Sequence, residues 1–457
     1  MFAQAKIISI YKDWRHDMKY FGTDGFRGRI NKDLTVEHAL KIGQYIGWYF
    51  SKDGTPASIV IGKDTRRSSY MLEYGLCAGI TSSGADAYIM HVTTTPSVSY
   101  IAKREKFNCG IMITASHNPY HDNGIKIIDS DGNKMNEEFL QEIEDYIDGI
   151  RTIPVSEETG RCIDYLSGRN SYIGHLASIP ENSFRGYKIG LDCANGAAWS
   201  IAKNVFAMLG ADTYMISDNP DGKNINRGCG STHIEALQNF VVEKGLDIGF
   251  AFDGDADRCI AVNEKGEVMD GDTIIYMIAC LLKEQGKLTG NKAVITVMSN
   301  LGLINALKAN DIGVVITDVG DKYVSAEIAE HGYQVGGEQS GHIIISKYAN
   351  TGDGILTAII VTEILVNKKN FASALPLGLK ILPQKLVNIA VTDKDRIMSD
   401  PKITEYIEET NKKLDGSGRL LLRKSGTEPL IRIMAEAATE ADCDKIIEEA
   451  RAVVESV

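Results

Sequence analysis

The chain has 457 residues, 44% hydrophobic and 24% charged, with a formal net charge of −12. That length exceeds one core of ordinary domain size and implies several compact units. The acidic balance argues against nucleic acid as the main partner, and no run approaches the roughly 20 apolar residues of a membrane span.

Ile7 to Ile10 is too short for the apolar core of a secretory signal. The cysteines, Cys77, Cys109, Cys162, Cys193, Cys229, Cys259, Cys280 and Cys443, are scattered and form no CxxC pair. Neither a zinc site nor a disulfide framework is expected. Cys193, Cys259 and Cys280 lie in apolar runs and read as small buried thiols. A reducing, cytoplasmic setting is the expectation.

Strand and helix signals alternate along the chain. Ala57 to Gly62 reads as a strand, KDTRRSS as the loop after it, and Tyr70 to Ser83 as a helix. The polar segment from Arg151 to Gly168 separates a first unit from a second. Arg185 to Leu191 leads through DCANGAA into a helix from Trp199 to Leu209. Leu246 to Phe252 is strand-like, and the chain after Phe252 reads as a crossing into a third unit. Lys292 to Met298 leads through SNLG into another helical stretch. Pro376 to Pro383 sets off a tail with strands at Arg419 to Leu422 and Leu430 to Ala435. Its last helix, from about Glu440, puts Ile446, Ile447, Ala450, Val453 and Val454 on one face. Such alternation implies βαβ units and largely parallel sheets, with ligands gathered at the carboxyl ends of strands.

Four loops carry chemistry. Thr114-Ala115-Ser116-His117-Asn118-Pro119 ends the apolar run CGIMI. A serine beside His117 suggests a hydrolase, but the G-x-S-x-G elbow is absent, and an adjacent imidazole rarely meets its neighbour's hydroxyl. Taken alone, the loop reads as a Ser-rich turn. Asp253-Gly254-Asp255-Ala256-Asp257-Arg258 follows a strand. On extended backbone its three carboxylates point to one side, and a hard divalent cation relieves their repulsion. An EF-hand is disfavoured because Arg258 occupies the position that needs glycine and the preceding flank is strand-like. Magnesium is the expected ion.

In Gly336-Gly337-Glu338-Gln339-Ser340-Gly341-His342 the glycines allow close approach of a ligand to polar side chains suited to a sugar. A plain glycine turn is the alternative. Arg423-Lys424-Ser425-Gly426-Thr427-Glu428-Pro429, with Arg432 nearby, offers a guanidinium fork, hydroxyls and glycine N–H for a phosphate dianion. The bland reading there is a polar β-turn.

Together these loops resemble the α-D-phosphohexomutase superfamily over nearly the whole chain. The resemblance runs from YFGTDGFRG, containing Arg27, through TASHNP and DNGIK, containing Lys126, to PDGKNIN, CGSTH, DGDADR and GDKYV. It continues through GGEQSGH and TGDG to RKSGTEPLIRIMAE. Gln339 is similar to the branch acting on glucosamine phosphates; phosphomannomutases and phosphoglucomutases tend to carry Met there. Residues 1 to 17 precede the first motif and are expected to be a disordered extension or an upstream start.

The resemblance implies an α/β protein with three similar α/β domains of mixed, mostly parallel sheets and a smaller α+β C-terminal domain. It implies a heart-shaped arrangement with one loop from each domain in a central cleft. The expected domains are 18–160, 161–257, 258–376 and 377–457. Ser116 would carry a phosphate against one Mg²⁺ held by Ser116, Asp253, Asp255 and Asp257, with Arg258 withdrawing charge. Glu338 and Ser340 would contact sugar hydroxyls. Arg423, Ser425, Gly426, Thr427 and Arg432 would grip the other phosphate. Lys126, His342, His117 and Arg27 are unranked candidates for acid and base. The implied reaction interconverts glucosamine 6-phosphate and glucosamine 1-phosphate through a bisphosphorylated sugar, in bacterial synthesis of UDP-N-acetylglucosamine. A homodimer is a further expectation. The alternatives are a mutase for mannose or glucose phosphates, a metal-dependent sugar phosphatase, and a catalytically silent sugar-phosphate-binding protein.

Overall fold

The computed structural model describes residues 18–425 and 429–457, so the expectations for residues 1–17, Gly426 and Thr427 lie outside the described residues. The chain divides into two compact units. The first runs to Ile173 and includes Asn195–Ala198 and Asn219–Arg227; the second holds the remainder.

The first unit contains β1 (Phe21–Gly22), β2 (Gly25–Arg29), α1 (Val36–Ser51), β3 (Ser58–Lys63), α2 (Arg67–Ser82), β4 (Asp86–Val92) and α3 (Thr95–Arg104). It continues through β5 (Cys109–Ile113), β6 (Asp122–Ile128), α4 (Glu137–Ile147) and β7 (Cys162–Asp164) into α5 (Leu166–Ala177). Its seven-stranded sheet has the order β1-β2-β6-β5-β3-β4-β7. The strands β5, β3, β4 and β7 are parallel, whereas β1, β2 and β6 add antiparallel pairings. The run CGIMI shows no polar alternation because every residue of β5 is buried. Ile42 and Ile46 of α1 with Leu72, Leu76 and Ile80 of α2 cover Ile59, Ile61, Ile111 and Ile113. Val98 and Ile101 of α3 cover Val60, Met90 and Met112 from the opposite face.

Helix α2 starts at Arg67, earlier than the expected Tyr70. Asp64 Oδ1 accepts from Arg66 N–H and Ser69 Oγ, both at 2.9 Å, so the charged loop folds directly into the first turn. The expected boundary after residue 160 is corrected by β7, which extends this sheet to Asp164. A polar segment read as linker supplies an edge strand, which needs no apolar face.

The second unit opens with β8 (Lys188–Asp192), α6 (Ala198–Met208), β9 (Asp212–Ile216), α7 (Glu235–Lys244), β10 (Ile248–Phe252), β11 (Cys259–Asn263) and β12 (Val268–Met269). Their sheet has the order β12-β11-β10-β8-β9. Strands β10 and β11 form an antiparallel hairpin with Phe252 opposite Cys259. The expected boundary after Asp257 therefore falls inside one sheet, because the apolar runs flanking the acidic loop pair with each other.

Next come α8 (Gly271–Glu284), β13 (Lys292–Thr296), α9 (Leu301–Ala309), β14 (Gly313–Thr317), α10 (Asp321–His331), β15 (Val335–Gly337), β16 (Ile343–Ile345) and α11 (Gly354–Lys368). Their sheet order is β14-β13-β15-β16. The tail supplies β17 (Gln384–Ala390), α12 (Lys394–Met398), α13 (Pro401–Leu414), β18 (Arg419–Lys424), β19 (Leu430–Glu436) and α14 (Glu440–Glu455). Its antiparallel sheet, β17-β19-β18, is covered by Ile446, Ile447, Ala450 and Val454 of α14.

A polar seam joins these last two layers. Buried Glu436 accepts from Leu301 N–H at 3.1 Å, Arg419 Nε at 3.0 Å and Gln384 Nε2 at 2.9 Å. Asp272, buried in the first turn of α8, accepts from Asn300 N–H at 2.6 Å. Burial, followed by the nearby charge of Asp270, pushes the Asp272 carboxyl up to about 7.

Candidate active site

Ser116 lies just past the carboxyl end of β5. Thr114 turns the chain there: its N–H donates to Gly124 O at 2.9 Å, and its Oγ1 accepts from Ser116 N–H at 2.9 Å. Ser116 takes φ 50°, a left-handed conformation that costs a non-glycine residue roughly 1–2 kcal/mol. His117 Nδ1 lies 3.3 Å from Ser116 Oγ. Sequence reasoning expected such neighbours not to meet, but the left-handed serine turns the two side chains together.

Two further side chains hold this turn through its carbonyls. Arg66 Nη2 donates to Ser116 O at 3.1 Å and Asn118 O at 2.6 Å. Asn226 Nδ2 donates to the same two oxygens at 2.8 and 3.1 Å. Arg66 is fully buried and ion-paired with Asp64. Sequence reasoning assigned no role to Asp64, Arg66 or Asn226. The available signal was a charged, serine-rich loop at a strand's carboxyl end.

Arg27 and Lys126 lie on adjacent antiparallel strands. The register sets Arg27 opposite Gly124 and Phe26 opposite Ile125, so Arg27 and Lys126 share one sheet face. Arg27 donates to Asp24 at 2.6 Å, and Asp24 also accepts from Lys134 at 2.6 Å. Lys126 is buried.

In the second unit, the hairpin of β10 and β11 carries the acidic loop. Asp253, Asp255 and Asp257 are buried, with ligand oxygens within 4.8 Å of one another. The loop is a tight turn rather than the extended segment expected. Ala256 N–H donates to Asp253 O at 3.1 Å, and Ala256 takes φ 56°. Asp253 Oδ1 also accepts from Arg258 N–H at 3.2 Å. Three carboxylates this close repel strongly when ionised, and an all-oxygen donor set suits a hard divalent cation. The triad fits such an ion.

His342 is buried beside this turn, with Nδ1 3.8 Å from Asp257 Oδ2. Its Nε2 accepts from Gly352 N–H at 3.0 Å and lies 3.7 Å from Asp321. The neutral ring therefore carries its proton on Nδ1, toward Asp257. Burial alone would lower its pKa, but Asp257 and then Asp321 outweigh it, and the net shift is upward. A Cβ at Gly352 would sit 2.6 Å from the imidazole and 2.7 Å from Asp257 O. The TGDG segment must therefore cross here as glycine. Asp353 caps α11 by accepting from Leu356 N–H at 2.9 Å, and Gly354 N–H donates to Ala256 O at 2.9 Å.

Glu338, Gln339 and Ser340 form the turn between β15 and β16. Glu338 Oε1 accepts from Gly320 N–H at 3.1 Å, and Gln339 Nε2 donates to Asp270 at 3.2 Å. Ser340 is exposed. Arg423 stands directly opposite Arg432 across β18 and β19. Like charges in that register destabilise a bare sheet, so this is a place where an anion is favourable. Burial and then Arg432 pull the Arg423 guanidinium below its usual range, with Asp318 and Glu338 opposing. Ser425 is buried, and its carbonyl accepts from Lys394 Nζ at 2.7 Å. Asp318 and Lys394 escaped sequence reasoning and Asp321, within GDKYV, was given no role there, since each comes from a different segment from the loop it serves.

Four family descriptions match the chain in order. They are phosphoglucomutase/phosphomannomutase alpha/beta/alpha domains I (residues 18–153), II (170–266) and III (270–376), and the C-terminal domain (386–453). The phosphoglucosamine mutase of Lachnoclostridium phytofermentans is 57% identical over 430 residues, 93% of this chain and 96% of that protein. The chain belongs to the phosphoglucosamine mutase family. A second member, from Lachnospira eligens, is 55% identical over 96% of this chain and 98% of its own length.

Solved structures share the fold. A phosphoglucomutase/phosphomannomutase family protein from Burkholderia thailandensis superposes with a TM-score of 0.78 at 23% identity, covering 95% of this chain and 97% of that one. The Aspergillus fumigatus N-acetylphosphoglucosamine mutase in complex with GlcNAc-6P and magnesium gives 0.67 at 19% identity, covering 95% of each chain. The protein is thus an isomerase of the phosphohexomutase type, acting on a small phosphorylated sugar. No helix among the described residues is long and apolar enough to cross a membrane.

Proposed function

We propose that the protein interconverts glucosamine 6-phosphate and glucosamine 1-phosphate by carrying a phosphoryl group on Ser116 Oγ. The observation that carries this reading is the left-handed, hydrogen-bonded turn presenting Ser116, in a chain 57% identical to a phosphoglucosamine mutase. Asp253, Asp255 and Asp257 would hold one Mg²⁺, which when bound neutralises charge on the phosphoryl group.

The chain's own residues do the rest. Ser116 Oγ gives its phosphoryl group to the free hydroxyl of the hexosamine phosphate. It later takes one back from the opposite end of the bisphosphorylated sugar. Arg423, Arg432 and Ser425, with Gly426 and Thr427, would hold the phosphate that is not reacting. Glu338 and Ser340 would orient the sugar through its hydroxyls, and Arg258 would add positive charge where the phosphoryl group transfers. A proton must leave the attacking hydroxyl and another must return to Ser116 Oγ. The 3.3 Å separation supports His117 as the group that exchanges a proton with Oγ. Lys126, Arg27 and His342 are the other candidates, and free thiols fit a cytoplasmic setting.

The test is intact-mass analysis of the protein before and after glucosamine 6-phosphate, with Ser116→Ala alongside. One phosphate on Ser116, lost to substrate and regained during turnover, is the expected result. A protein that never carries phosphate, or an alanine variant that turns over equally well, ends this reading. Rates with mannose and glucose 6-phosphates test the sugar; an ordering led by either would replace the substrate but keep the mechanism.

A further inference from the structure

The sheet edge of the first unit brings together two thiols that phosphoryl transfer does not use. β7 runs parallel to β4 with Cys162 beside Ala87. Cys162 therefore shares the face on which Ala87 packs with Leu76, Cys77 and Ile80 of α2.

The register along α2 is fixed as well. Gly160 N–H donates to Thr81 O at 2.9 Å, and Thr81 Oγ1 donates to Cys77 O at 2.7 Å. Gly160 approaches the Ala85 backbone so closely that no Cβ fits between them. Starting from the Thr81–Gly160 bond, Cys77 lies one turn back along the helix, about 6 Å. Cys162 lies two residues onward along the strand, about 7 Å. Because α2 links the parallel strands β3 and β4, it runs opposite to them and to β7. The two steps therefore point the same way and end side by side, and after burial the neighbouring Cys162 is the next cause that raises the Cys77 thiol. Cys162 is exposed, Cys77 is buried, and none of the remaining cysteines is exposed.

We propose that Cys77 and Cys162 form a reversible redox pair that closes to a disulfide when a peroxide reaches the exposed thiol. Peroxide oxidises the Cys162 thiol to a sulfenic acid and leaves as one water. The Cys77 sulfur then attacks the Cys162 sulfur, the S–O bond breaks, and the hydroxyl leaves with the Cys77 proton as a second water. Two thiols lose two electrons and two protons, and a thiol reductant reverses the change. Burial raises the Cys77 thiol, so it attacks with its proton still on sulfur and that proton departs with the hydroxyl. The closed form ties the edge strand to α2.

The experiment treats the full-length protein with hydrogen peroxide, then alkylates under denaturing conditions and maps peptides. The expected result is loss of two of the eight thiols, a Cys77–Cys162 linked peptide, and recovery with dithiothreitol. Amide exchange at residues 161–164 should slow in the oxidised form. Cys162→Ser, at an exposed position, should abolish the link, whereas Cys280→Ser should leave it intact. The proposal is overturned if Cys77 stays alkylatable while Cys162 is over-oxidised or links two chains. Retention of all eight thiols overturns it too.

Discussion

Arg66 donates to the main-chain oxygen of Ser116 at 3.1 Å, reaching the proposed nucleophile through its backbone rather than its hydroxyl. Asn226 donates to the same atom at 2.8 Å. A left-handed serine persists where its surroundings over-determine it, and these donors, with the Thr114 hydroxyl, supply that constraint.

Asn226→Ala removes two hydrogen bonds and should cost about 1–3 kcal/mol of stability. The relaxed turn should misplace Oγ and lower kcat about 100-fold with little change in KM. Steady-state kinetics beside thermal melts check both. Arg66→Ala should be more damaging, about 3–5 kcal/mol, because it leaves buried Asp64 without its countercharge.

The acidic turn predicts opposite effects on stability and activity. Asp255→Asn lowers the repulsion among three buried carboxylates and should raise the melting temperature in chelator. The same change should weaken Mg²⁺ binding and abolish turnover. Wild-type protein should gain about 2.7 kcal/mol at a Mg²⁺ concentration 100 times Kd, and the variant much less. Melting curves with and without Mg²⁺ measure the difference.

Gly352→Ala places a methyl group against His342 and the Asp257 carbonyl. Either the ring or the acidic turn must move, at about 1–3 kcal/mol. Activity should fall at least tenfold while the rest of the fold survives. Kinetics together with circular dichroism separate local from global damage.

Asp272 gives a pH dependence whose sign is fixed. Its carboxyl is raised from 3.8 to about 7 in the folded protein, so the protonated form favours the fold. That contribution is complete below about pH 4 and is lost as pH rises through about 7. The penalty on the ionised form is at most about 4 kcal/mol. Asp272→Asn keeps an acceptor for Asn300 N–H, so its stability relative to wild type should improve from pH 5 to pH 8. Paired melting temperatures across that range should diverge; parallel curves would contradict the assignment.

Much of the architecture was legible in the sequence because strands buried on both faces, such as Cys109–Ile113, read as unbroken apolar runs. The serine and acidic loops stood out because their polar groups are contiguous and follow such runs. The supports of the serine turn did not stand out. Arg66 and Asn226 come from 50 and 110 residues away, and no local pattern encodes that meeting. Strand β7 was missed for a related reason: its pairing with β4 rests on backbone bonds, and Cys162 and Asp164 at its ends are exposed. The crossing placed after Phe252 overlooked that two apolar runs around a tight turn can pair as a hairpin.

The φ of 50° at Ser116 has a bearing on how this site would decay under relaxed selection. Glycine adopts that conformation without strain, so replacing the serine by glycine relieves about 1 kcal/mol while removing the hydroxyl. Drift toward inactivity at this position would run thermodynamically downhill. A descendant released from its metabolic duty would forfeit chemistry here before it forfeited the fold, leaving a stable and inert relative.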